Sequence, residues 1–131
     1  MKIGPQHAIK IMLGLLTIVI LFHLLITIKI IPYKIAWGGR LQTDEQMYLF
    51  EAISIMINLL LCYILLLKGR YIQLQFKEKT LNIVLWIFLV LFALNTIGNV
   101  LAQTNFEKLF AVVTLVFVFL IWVLLRPKTI N

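Results

Sequence analysis

The sequence predicts an all-α polytopic membrane protein, an antiparallel four-transmembrane-helix bundle forming a single domain of 131 residues. Three observations lead there. Hydrophobic residues make up 63% of the chain and charged residues 13%, where a soluble domain has about 45–50% and about 25%. Four apolar runs each reach the roughly 17–25 residues that a helix needs to cross a bilayer. The Lys and Arg residues gather at the ends of those runs. So little polar surface excludes a soluble enzyme, a secreted disulfide scaffold and a disordered tail.

The first helix is expected over 11–31, with Lys10 and Lys29 reaching the two interfaces and Pro32 as its stop. A cleaved signal peptide is the competing reading. The apolar stretch is long for one, and Lys29 and Lys34 precede Ala36-Trp37-Gly38, a loose match to a cleavage site. The second helix, over 44–67, opens on the capping box Thr43-Asp44-Glu45-Gln46 and ends at Lys68-Gly69-Arg70, read as a basic last turn with a glycine stop. A third span covers 81–102. The fourth, over 105–125, starts at a second capping box, Thr104-Asn105-Phe106-Glu107, and ends at Arg126-Pro127. The third and fourth are joined so tightly that they must form an antiparallel hairpin.

The charge of +7 is a topology signal here, and no nucleic-acid partner is expected. With the N-terminus inside, Lys2, Lys10, Lys68, Arg70, Lys77, Lys79, Arg126 and Lys128 lie on the inner side, against Lys29, Lys34, Arg40 and Lys108 outside. The positive-inside rule then places both termini in the cytoplasm, for a protein of the bacterial cytoplasmic membrane. The basic stretch between Lys68 and Lys79 is expected to touch anionic lipids.

Cys62 is the only cysteine, which excludes a disulfide, a CxxC redox pair and a thiolate metal site. His7 and His23 stand about 24 Å apart along one helix, too far to share a haem. No cofactor and no metal are expected. GxSxG, HExxH and the paired aspartates of metal-dependent transferases are all absent.

The informative residues are the polar ones inside the spans, because each needs a partner there. Glu51 lies seven residues beyond Asp44, roughly 10 Å into its helix and too deep to cap it. His23 and Asn95 lie at a similar depth, with Asn99 one turn shallower. Glu51, Ser54, Asn58 and Cys62 share one helical face; Asn95, Asn99 and Gln103 share another, and both faces are expected to point into the bundle. The loop over 33–42 carries Tyr33, Trp37, a Gly-Gly pair and Arg40, which can fold over the bundle mouth so that Arg40 reaches Glu51 or an anionic ligand. Each residue also has a plain structural reading. His23 and the asparagines serve as interhelical hydrogen-bond glue. Trp37, Trp86 and Trp122 anchor the interfaces. Glu107 completes a cap, and Cys62 is an inert packing residue.

The expected function is binding or transport of a small molecule or ion in an outward-facing polar pocket, with Glu51 as counter-ion or proton carrier and His23 sharing its proton. Asn95 and Asn99 would orient the ligand, and Asn58, Arg40, Trp37 and Tyr33 complete the candidate set. Small proton-coupled exporters with a membrane-embedded glutamate resemble the chain in size and helix count. Their glutamate lies midway along the first helix, where this sequence runs Leu16 to Ile20, so the resemblance stops short of the site. One alternative is a membrane-embedded acid–base isomerase acting on a lipid-soluble substrate. Another is a non-catalytic subunit, as a homodimer or as the partner of a second membrane protein.

Overall fold

The computed structural model describes residues 3–37, 40–73, 76–102 and 104–127. Five helices follow one another: α1 (Pro5–Thr27), α2 (Tyr33–Trp37), α3 (Asp44–Lys68), α4 (Glu78–Val100) and α5 (Asn105–Leu125). All but the five-residue α2 are long and apolar enough to cross a membrane, and there is no strand among the described residues. The molecule is a four-helix membrane bundle with a short extra helix at one end.

The helix ends show where apolar pattern misplaces a boundary. α1 begins at Pro5, six residues before the apolar run, because proline at the first helical position lacks only an amide that would have no partner. It ends at Thr27 rather than at Pro32. Lys29 turns left-handed at φ 66°, and the amides of Lys29 and Ile30 donate to the carbonyls of Ile26 and Leu25, each at 3.0 Å. That double closure satisfies the last carbonyls of the helix. Pro32 instead opens α2, where its carbonyl accepts from the Ile35 amide at 3.2 Å. α3 ends in the same way. Its left-handed residue is Arg70, at φ 60°, and not Gly69, which has φ −81°. Gly69 is needed for room: a Cβ there would stand 2.9 Å from the Tyr71 ring. α4 runs from Glu78 to Val100, three residues earlier at its start than the apolar run.

Both threonine caps form. The Thr43 hydroxyl accepts from the Gln46 amide at 3.2 Å, and the Thr104 hydroxyl from the Glu107 amide at 3.1 Å. In the first cap the Gln46 side chain closes on the Gln42 amide at 2.9 Å, one residue before the threonine.

α4 and α5 form the closest pair; α1 packs on α3 and α5, while α3 and α4 touch only slightly. Lipid is as apolar as leucine, so helices gain little by burying leucine against leucine and rely on packing and polar clamps. The tightly packed core lies away from α2, among Ala8, Met12 and Leu16 of α1, Leu61 and Leu65 of α3, Leu81 and Leu85 of α4, and Leu120 and Ile121 of α5. Phe92 and Phe117 stack across it with ring centres 4.9 Å apart. At this end Lys68 donates to Glu78 at 2.7 Å and to Asn82 at 2.6 Å, and Arg126 donates to the Ile3 carbonyl at 3.0 Å. Thr96 and Thr114 join α4 to α5 at 2.8 Å. At the α2 end, Lys29 donates to Asp44 at 2.6 Å. That hydrogen bond and the aspartate charge, with a smaller contribution from Tyr48, raise the lysine above its ordinary pKa of 10.5. The lysine's contribution to the clamp is therefore fully present below that pH and is lost as pH rises through the raised value.

A left-handed arginine carries strain that glycine does not. Arg70→Gly is expected to stabilise the protein by about 0.5–1 kcal/mol, read as a higher thermal midpoint in detergent. An unchanged or lower midpoint would show that Arg70 contributes more through its side chain than its backbone costs.

Candidate functional site

Glu51 sits about one turn beyond the first turn of α3, with 0% of its surface exposed. Two side chains hydrogen-bond to it. His23 Nδ1 on α1 lies 2.6 Å from Oε2, and Trp37 Nε1 on α2 lies 2.7 Å from Oε1. One carboxylate therefore joins α1, α2 and α3. With Nδ1 committed to Glu51, Nε2 is the nitrogen His23 leaves for the space in front of it.

That space is a cavity of about 280 Å³ between the four long helices at the α2 end. His23, Trp37, Arg40, Asn58, Asn95 and Asn99 line it. Glu51 itself does not, because it stands behind His23 and Trp37. Tyr33 is also absent from the wall and packs instead with Ile26, Leu41 and Met47 beneath α2. The remaining wall is largely apolar and aromatic, including Phe22, Phe50, Phe106 and Phe110. α3 and α4, which both contribute to the wall, touch only slightly, and Asn95 is exposed rather than enclosed. Asn58 is buried, but its amide donates to the Ser54 carbonyl of its own helix at 2.7 Å and makes no bond across the bundle among the described residues. Cys62 lies half-buried against the packed core. Gln103, Gly38 and Gly39, invoked above for the polar stripe and the loop, and Lys2 and Lys128 of the charge count, lie outside the described residues.

Arg40 reaches Glu107, at 2.5 Å, and not Glu51. Its guanidinium lies 5.5 Å over the Trp37 ring and donates to the carbonyls of Trp37 at 3.2 Å and Ala36 at 3.4 Å. Glu107, the acidic position of the second capping box, is buried. Its Oε1 lies 2.9 Å from the Thr104 hydroxyl, which is equally 2.9 Å from the Ile35 carbonyl and can give its single proton to either. The carboxylate is thus a tertiary anchor for the α2 segment as well as a cap neighbour. Sequence reasoning missed this, because the capping box already explained an acid at that position. The one usable signal was a loop arginine facing an acidic residue at the same end of the bundle. The aromatic group was missed as well: Phe22 stacks on Phe106 at 5.0 Å, and Phe110 lies 6.1 Å from Phe22. Its members come from two helices and show no pattern along the chain.

Chemically, the wall offers one imidazole held by a carboxylate, one carboxylate held by a guanidinium, three amides and an aromatic lining. Among the described residues, no group of three His, Cys, Asp or Glu side chains is placed to hold a metal ion.

Removing one member of the buried pair should cost more than removing both. His23→Leu leaves Glu51 with one donor and is expected to cost about 2–4 kcal/mol, whereas the double variant His23→Leu/Glu51→Met should recover at least half of that. Denaturation of the single and double variants in the same detergent reads the difference. Additive losses would mean the two residues do not act as a pair.

Comparisons with family models, with curated proteins and with solved structures find no match to this chain.

Proposed function

We propose that this chain is a membrane-embedded binding protein that holds, and in transport passes on, a small molecule in the cavity at the α2 end. The observation that carries the reading is the division of the bundle. One end is packed shut by apolar side chains, while the other keeps about 280 Å³ between the same four helices, walled by aromatic rings and a few polar groups. Binding sites have this mixture, an apolar lining with a small number of fixed polar groups that orient the ligand. His23 meets the ligand, and Glu51 holds the imidazole and stores or returns its proton in a proton-coupled cycle. The proposal includes a bacterial cytoplasmic membrane with both termini inside, and anionic lipid against the exposed Arg70, Lys77 and Lys79.

A second reading, acid–base isomerisation of a lipid-soluble substrate, is supported by the His23–Glu51 hydrogen bond, since a general base oriented by a carboxylate is the usual arrangement. The two readings part on what happens to the ligand, which is either returned unchanged or converted.

Three ring-sized probes test the binding claim: benzyl alcohol, phenylmethanesulfonate and benzyltrimethylammonium. At least one should bind saturably to the protein in nanodiscs by isothermal titration, and Ser54→Phe, which fills the cavity, should weaken it at least tenfold. Flux of the bound probe in proteoliposomes, driven by a pH gradient and lost in Glu51→Gln, supports transport. Saturable binding by none of the three, or binding unaffected by Ser54→Phe, would overturn the proposal.

A further inference from the structure

The Arg40–Glu107 contact is unequal in a way that says which partner belongs to the site. The Glu107 side chain is 2% exposed, on the first turn of a long helix and held by Thr104. The Arg40 side chain is 53% exposed, on the connection between α2 and α3. If the pair separates, the guanidinium moves into water or lipid headgroups, and the carbonyls of Ala36 and Trp37 that it caps can turn to water. The carboxylate cannot leave. It remains in the cavity wall, which the rings of Phe22, Trp37, Phe106 and Phe110 also line.

A fixed carboxylate next to aromatic faces is a cation site, because charge attraction and the negative faces of the rings favour the same ligand. The chain already fills it in that way. Arg40 lies 2.5 Å from Glu107 and 5.5 Å over Trp37. We infer that Arg40 is a tethered cation occupying a site meant for a small organic cation with an apolar body, an aromatic or aliphatic amine, guanidine or quaternary ammonium, which displaces Arg40 and pairs with Glu107 while its body fills the cavity. Glu51 does not compete for the charge, since His23 and Trp37 hold both of its oxygens behind the wall. An anionic ligand fits poorly: to reach Arg40 it would have to strip the buried Glu107 of its partner and approach a second negative charge.

The inference rests on the binding reading proposed above, and the same three probes separate their failures. Benzyltrimethylammonium should bind, benzyl alcohol weakly and phenylmethanesulfonate not at all. A tethered competitor that fills the site nine-tenths of the time lowers apparent affinity about tenfold. Arg40→Ala should therefore bind the cation about tenfold more tightly than the unaltered protein, and Glu107→Gln at least tenfold more weakly. Should Arg40→Ala fail to fold, Arg40→Gln keeps a donor over Trp37 and removes the charge. In the unaltered protein, benzyltrimethylammonium should speed phenylglyoxal modification of Arg40 several-fold, as read by peptide mass spectrometry. Equal affinity in all variants, or slower Arg40 modification, would overturn the inference. Preference for the alcohol or the sulfonate would also overturn it while leaving the cavity as a binding site; binding of no probe overturns both.

Discussion

A carboxylate in a hydrocarbon layer must find donors or give up its charge, and at Glu51 this requirement decides how three elements meet. The side chain is fully buried, and its two oxygens take one donor from α1 and one from α2. Neither donor is close in sequence, so meeting the requirement fixes the height of α1 against α3 and draws the Tyr33–Trp37 turn inward over the bundle. An unmet buried polar group costs about 1–3 kcal/mol, more if charged, whereas an exposed ion pair such as Lys29–Asp44 is weakened by solvent. The buried bonds therefore govern the placement of α2, and the surface pair adds to it.

The same logic explains why the two ends differ. Far from α2, closely matched side chains meet, and the helices need only a few clamps, from Lys68 and Arg126. Near α2, bulky rings and committed polar groups keep the helices from closing. His23 is held by Glu51 and Asn58 by its own helix, so neither draws α4 toward α3. The cavity is what remains once His23 and Asn58 have taken partners elsewhere. Asn95, which is exposed, and the half-buried Asn99 line it from α4.

Much of the fold was legible in the sequence, for a physical reason. Spanning length and apolar composition are imposed by the bilayer residue by residue, and the capping threonines act within one turn, so both leave local marks. The errors fall where structure departs from local signals. Helix α1 stops at a left-handed lysine and α3 at a left-handed arginine, where pattern looks for proline or glycine. The helical turn of α2 is too short to show a period. Glu51 and His23 stood out because membrane insertion disfavours them, and their meeting followed from matched depth. Glu107 did not stand out, since its local role as a capping residue hid its bond to Arg40, 67 positions away. The exposure of Asn95 depended on how loosely α3 and α4 touch, a property of the whole bundle that no single helix records.

A cavity at one end of the bundle and a packed core at the other predict that water enters down to a definite level and stops there. In a Cys62→Ala background, Asn58→Cys and Leu61→Cys place a thiol on either side of that level, at the cavity wall and in the packed core one turn deeper. A small charged methanethiosulfonate reagent, added on the α2 side of intact membranes, should modify Asn58→Cys readily and Leu61→Cys at least a hundredfold more slowly. Equal protection at both positions would show that water does not reach the cavity, and equal reaction would show that the packed end is not closed.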